Sequence, residues 1–158
     1  MHRKYYLAAG LPLFALAVAS IGLSAIPAQN GDPLIGTWNV TGGNSPFVAV
    51  MTFNLGGTTV EYDTAGTNPS ASPGESISLG KWRKTGNLAY KFDEENYIYD
   101  ASGNLSLIAI ADCSATLAST LNNYSDTCAV NFYQCSVAAC PGPLVSGPTS
   151  LTATAVRF

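Results

Sequence analysis

Beyond residue 28, apolar residues recur at every second position in short runs that Gly, Asn, Pro and Ser separate. Alternation of this kind places apolar side chains on one face of an extended chain, which is typical of half-buried β-strands. Phe47, Ala49, Met51 and Phe53 show the pattern plainly, and no stretch sustains the 3.6-residue period of a helix. The sequence therefore predicts an all-β fold.

The runs predict about nine short antiparallel strands. Their expected ranges are 34–41, 47–54, 58–62, 77–85, 88–99, 105–112, 114–119, 127–134 and 150–158. Gly80 is interpreted as a β-bulge, because the apolar parity changes between Leu79 and Trp82. Closing the sheet would remove its exposed edges, so we expect an antiparallel up-and-down β-barrel of about 8–9 strands.

The N-terminal segment has the order of a secretory signal peptide. Residues 2–4 are basic, an apolar stretch extends to Ile26, and small residues precede Gln29. A membrane anchor is the alternative, but Gly and Pro interrupt the apolar stretch. We therefore predict a cleaved signal peptide over 1–28 and a single domain over 29–158. The mature protein is expected in the periplasm or the extracellular medium, without stable membrane insertion.

The charge of the mature chain argues against nucleic acid as a partner. Arg3 and Lys4 leave with the signal, so five of the seven basic residues remain against all ten acidic ones. Binding to phosphates needs clustered Lys and Arg. The small cluster of Lys81, Arg83 and Lys84 is interpreted as a solvated strand face.

All four cysteines lie in the C-terminal third of the chain: Cys113, Cys128, Cys135 and Cys140. An exported chain meets oxidising conditions, so two disulfides are expected. Sequence alone allows three pairings. Cys113–Cys128 with Cys135–Cys140 is favoured, because each bond would join one local hairpin. The spacing lacks the C-x-x-C pair of zinc sites, and neither a metal nor a cofactor is expected.

The first and last strands carry a recognisable pair of features. Gly36-Thr37-Trp38 opens the first strand, and Arg157 lies in the last. In this the chain resembles the lipocalins and the wider calycin group, in which a Gly-x-Trp and an Arg meet across the closed end of the barrel. The resemblance implies that Gly36, Trp38 and Arg157 form a structural cork without chemistry of its own, in which the guanidinium lies over the indole.

The chain also resembles short secreted bacterial proteins, mostly uncharacterised. The shared segments are Gly36-Thr37-Trp38, Thr52-Phe53 with Gly56-Gly57-Thr58, Gly80-Lys81-Trp82, and Ala153-Thr154-Ala155-Val156-Arg157-Phe158. Together they span the mature chain, and they imply a small lipocalin-like barrel.

The residue types limit the chemistry that the chain can perform. His2 is the only histidine and leaves with the signal, which excludes Ser-His-Asp and Cys-His catalysis. Asp93 and Glu95 would share a strand face about 7 Å apart, a spacing compatible with paired catalytic carboxylates. The favoured interpretation is a solvated face, and the same holds for Glu61 and Asp63. An acid pointing into a dry barrel would instead have a raised pKa and could move protons.

An eight-stranded barrel either fills its interior or leaves room for one small ligand. The favoured hypothesis is non-enzymatic binding of a small hydrophobic ligand, with the polar loop 63–76 near the mouth of the cavity. The aromatic residues expected to line it are Phe53, Tyr62, Trp82, Tyr90, Phe92 and Phe132.

Two other functions remain open from the sequence. One is an isomerase or cyclase that uses carboxylate or Tyr acid–base groups, and the other is a structural or surface-interaction protein with a filled barrel. An interior below about 300 Å³ would exclude a drug-sized ligand. A cavity carboxylate with a shifted pKa would separate the enzyme from the simple binding protein.

Overall fold

The computed structural model describes residues 31–45, 47–64 and 74–158, so the predicted signal peptide lies outside the described residues. In this part of the chain, eight antiparallel strands form one closed barrel in sequence order. The strands are β1 (Gly36–Gly42), β2 (Val48–Phe53), β3 (Thr58–Asp63), β4 (Ser78–Lys84), β5 (Ala89–Tyr99), β6 (Leu105–Leu117), β7 (Asn123–Gln134) and β8 (Leu144–Arg157). The predicted all-β up-and-down barrel is confirmed. Within the same ranges, no helix is long and apolar enough to cross a membrane.

The structure has eight strands where the sequence suggested about nine, because the predicted sixth and seventh strands are one continuous strand, β6. The expected break at Cys113 is absent. Cys113 faces the interior and pairs in register with Cys128 of β7, so alternation continues through it. The last two strands also begin earlier than predicted, at Asn123 and Leu144.

The predicted bulge at Gly80 is wrong, because β4 pairs with both neighbouring strands in unbroken register. Leu79 points outward and is 52% exposed, which made the apolar parity of this strand look switched. Gly80 pairs with Thr59 and Glu94 on the two sides. A Cβ at Gly80 would lie 2.6 Å from the Thr59 hydroxyl and 1.9 Å from the Asp93 carbonyl oxygen, so only glycine fits here.

One end of the barrel is filled by aromatic side chains around Phe53. The Phe53 ring lies 6.0 Å from Trp82, 5.6 Å from Phe92 and 5.8 Å from Tyr124, centroid to centroid. All three pairs meet edge to face, the arrangement that the charge distribution of aromatic rings favours. Leu34, Met51 and Leu117 are also fully buried in this cluster. We call this half of the barrel the packed end.

Gly36, Trp38 and Arg157 meet at the packed end. Trp38 and Arg157 are register partners across the seam between β1 and β8, and the guanidinium carbon lies 4.2 Å from the centre of the Trp38 ring. Arg157 also donates hydrogen bonds to the carbonyl oxygens of Ile35 and Pro33. Gly36 has a φ of +134°, and a Cβ there would lie 2.8 Å from Nη1 of Arg157. The guanidinium therefore occupies the space that a side chain at Gly36 would need.

Both disulfides join the pairs that the sequence favoured. Cys113–Cys128 connects β6 and β7 at register partners inside the barrel. Cys135–Cys140 closes the loop between β7 and β8. Two disulfides are typical of proteins in oxidising compartments, which weakly indicates a location outside the cytosol.

Candidate ligand cavity

The half of the barrel opposite the packed end is hollow. It contains a cavity of about 250 Å³ that is open on one side, at the end of the barrel that holds the last residues of β1, β3, β5 and β7. The small side chains of Ala109, Ala111 and Ala153 face the cavity and leave this room. The volume is below the roughly 300 Å³ at which drug-sized sites begin. It is the space of roughly eight waters, so we expect a ligand of roughly ten non-hydrogen atoms.

Most of the cavity wall is apolar. It comprises Val40, Phe47, Phe92, Ile98, Ala109, Ala111, Val130, Phe132, Leu151, Ala153 and the Cys113–Cys128 disulfide. Glu75, from the predicted loop 63–76, also borders the cavity, while residues 65–73 of that loop lie outside the described residues.

The structure does not bring the six aromatic candidates together. Phe92 and Phe132 line the cavity. Phe53, Trp82 and Tyr90 lie in the packed end instead, where their rings contact one another or Phe92. Tyr62 points outward and is 55% exposed. The sequence indicates which face of a strand a residue occupies, but these residues differ in their height along the barrel axis.

A second part of the cavity wall is acidic. Glu61 on β3, Glu94 on β5 and Asp126 on β7 all border the cavity, and Asp63 and Glu75 border it as well. Glu94 and Asp126 are each only 8% exposed. We call Glu61, Glu94 and Asp126 the acidic triad.

The sequence predicted the correct strand face for only some of the acidic residues. Asp93 and Glu95 lie on the exposed outer face of β5, as expected. The same expectation for Glu61 and Asp63 was wrong, since both face the cavity. In β3 the apolar Tyr62 points outward, which inverts the usual relation between polarity and face.

Burial changes the protonation of the triad. Loss of hydration raises the pKa of Glu94 to about 7, although a hydrogen bond with Glu61 opposes part of this change. Loss of hydration also holds the pKa of Glu61 well above its ordinary value, and the charge of Glu94 adds to the effect. Burial raises the pKa of Asp126 to about 6. Near neutral pH, therefore, Glu94 is about half protonated while Asp126 is mostly ionised.

No lysine or arginine among the described residues borders the cavity. Lys84 pairs with Asp32 at 3.0 Å, and Lys91 lies 3.9 Å from Asp112 on the outer face. Arg157 belongs to the packed end, and Lys81 and Arg83 are exposed. These are all five basic residues beyond position 28. Among the described residues, therefore, no cationic side chain neutralises the triad.

One oxygen of the triad is also unpaired. Within the described ranges, Oε1 of Glu94 and the neighbouring hydroxyl of Thr59 are buried and make no hydrogen bond of normal geometry. Buried polar atoms nearly always have a partner, so an exception calls for an explanation such as a missing ligand or water. No group of acidic or cysteine residues in the described part of the chain is arranged to hold a metal ion.

Strand-face alternation is a sequence signal that could have identified two members of the acidic triad, although their polarity alone suggested exposure. Glu94 shares its strand face with Tyr90 and Phe92, and Asp126 shares its face with Tyr124 and Cys128. An acid in register with buried residues is expected to be buried itself. Alternation thus predicts that Glu94 and Asp126 are buried, but it does not predict the burial of Glu61.

Fold and cavity together define a closed eight-stranded antiparallel barrel with one filled and one hollow end. This architecture is consistent with a lipocalin-like barrel. Comparison with protein-family models, curated proteins and solved structures found no match for the chain.

Proposed function

We propose that this protein is a secreted small β-barrel that binds one small, largely apolar molecule in its cavity. The observation that carries the proposal is the hollow end: a cavity of about 250 Å³ with mostly apolar walls, next to a packed end that fixes the barrel's shape. Ligand sites are typically concave and apolar with a few polar groups, and this cavity has that composition. The signal-like N-terminus and the two disulfides support export.

The apolar wall alone gives modest affinity. Covering about 150 Å² of apolar ligand surface contributes roughly 4 kcal/mol. Because association also costs translational and rotational freedom, the apolar wall alone supports a Kd no tighter than about 1 mM. Tighter binding must come from the polar part of the wall, which in this cavity is the acidic triad.

Filling the cavity is expected to weaken binding. Ala111→Leu places three more carbons in the hollow end, and we expect it to weaken binding of the neutral probe 2-phenylethanol at least tenfold. Ala129→Leu is the matched control, because Ala129 is exposed on the outer face of β7. Ligand-observed NMR measures the probe, and native mass spectrometry of the mature protein detects any co-purified molecule. Equal binding by both variants would place the ligand outside the cavity.

A second candidate function is acid–base catalysis on the bound molecule. The observation that favours it is the contact between Glu61 and Glu94, two carboxyls that share a hydrogen bond beside an apolar wall. Such a pair can donate and accept a proton near neutral pH, as an isomerase or cyclase requires. Conversion of a co-purified ligand by the wild type, lost in Glu94→Gln, would favour this function over binding alone.

A further inference from the structure

We infer that the molecule held in the cavity is a small organic cation, a primary amine on a short apolar body, and that Glu94 with Glu61 and Asp126 receives its ammonium group. The inference rests on the proposed function, because it names the ligand class of the same cavity. The argument depends on an unpaired oxygen, on charge balance and on the shape of the wall.

The unpaired oxygen marks where the ligand's polar group lies. Glu94 is 8% exposed and borders the cavity, and its Oε1 makes no hydrogen bond of normal geometry in the described part of the chain; the buried Thr59 hydroxyl beside Glu94 is unpaired as well. A carboxylate oxygen is only an acceptor, so its missing partner is a donor. An ammonium group has three donors and no acceptor, which matches a site that offers carboxyl oxygens from three strands.

Above neutral pH, where Glu94 and Asp126 are ionised, charge balance favours a cationic donor. The carboxyls of the triad lie close enough that Asp126 repels both Glu61 and Glu94. All five basic side chains beyond position 28 are placed elsewhere. An ionised carboxylate removed from water is costly unless it takes up a proton or a positive charge accompanies it. A ligand cation supplies that charge, whereas an anionic ligand would add to the repulsion.

The apolar part of the cavity wall favours an organic cation over a bare metal ion as the ligand. Phe47, Phe92, Phe132 and the Cys113–Cys128 disulfide border the same cavity as the triad. These groups offer no ligands to a hard metal ion but pack well against a ring or a short alkyl chain. The cavity therefore has a polar side for the ammonium and an apolar side for the body.

Binding of such a cation is expected to depend on pH. The ionisable groups that border the cavity are Glu61 and Asp63 on β3, Glu75 in the following loop, Glu94 on β5 and Asp126 on β7. Since all are acids, lowering the pH neutralises the wall. The pKa values of Glu94, about 7, and Asp126, about 6, place the loss of affinity between pH 8 and pH 5.

Four probes of similar size test the inference on the mature wild-type protein: 2-phenylethylamine, 2-phenylethanol, propylbenzene and phenylacetate. Ligand-observed NMR at pH 8 and pH 5 measures each affinity. We expect the amine to bind at least tenfold more tightly than the two neutral probes at pH 8, and the difference to disappear at pH 5. Phenylacetate is expected to bind most weakly at pH 8.

Glu94→Gln is expected to weaken amine binding at pH 8 at least tenfold and to leave 2-phenylethanol unchanged. Glu95→Gln is the matched control, because Glu95 lies on the outer face of the same strand. The wild-type pH dependence tests the same point without any substitution. Neutral probes that bind as tightly as the amine would overturn the inference and leave the proposed function standing. Failure of all four probes would overturn both.

Discussion

Replacing Glu94 with glutamine is expected to stabilise the protein by roughly 3 kcal/mol at pH 8 and to have little effect at pH 4. Burial raises the pKa of Glu94 from 4.5 to about 7 in the folded state. The folded protein therefore holds a proton that the unfolded chain releases between these values, and wild-type stability falls as the pH rises across this window. Glutamine carries no charge, so the variant does not lose this stability as the pH rises.

Urea denaturation of the wild type and the variants at pH 4, 6 and 8 measures this effect as the free energy of unfolding. Glu95→Gln, on the outer face of β5, is expected to follow the wild type at every pH. A Glu94→Gln variant that is less stable than the wild type at pH 8 would show that the Glu94 carboxylate has a cationic partner, which the described cavity wall lacks.

Truncating the central aromatic of the packed end is expected to cost far more than truncating an aromatic of the hollow end. Phe53→Ala removes a fully buried ring that contacts Trp82, Phe92 and Tyr124, and we expect a loss of about 3–5 kcal/mol. Phe132 is only partly buried and borders the cavity, so Phe132→Ala is expected to cost about 1 kcal/mol.

Chemical denaturation of both variants at one pH gives the comparison directly. The two substitutions delete the same atoms, so the difference between them reports packing around each ring and not side-chain chemistry. Equal losses would mean that Phe132 is packed as tightly as Phe53, and the division of the barrel into a packed and a hollow end would not hold.

The barrel could be predicted from sequence because its main determinants are local. Alternation along β2, the Gly56-Gly57 turn and the broken runs between strands each act over a few residues. Trp38 and Arg157 are distant in sequence but could be paired through the resemblance to lipocalins. The predicted break in β6 was wrong, because Cys113 continues the inward face of Ala111, Ala115 and Leu117.

The cavity could not be predicted because it depends on the height of each residue along the barrel axis. Phe53 and Phe132 both face inward, yet one lies in the packed end and the other at the cavity. The height of each residue depends on the register of all the paired strands around the barrel, and no short sequence pattern predicts that register. Glu61 shows a second limit, since the outward Tyr62 beside it made the inner face of β3 look like a solvated one.

The most direct test of the acidic cavity is a carboxyl ¹³C NMR titration of the mature protein from pH 3 to pH 9. We expect Glu94 to titrate with a pKa of about 7 and Asp126 with a pKa of about 6, because both carboxyls are removed from water in a cavity whose described wall has no cationic side chain. Titration of Glu94 at its ordinary value of 4.5 would show that this carboxyl faces water or a positive charge, and would contradict the proposed cavity.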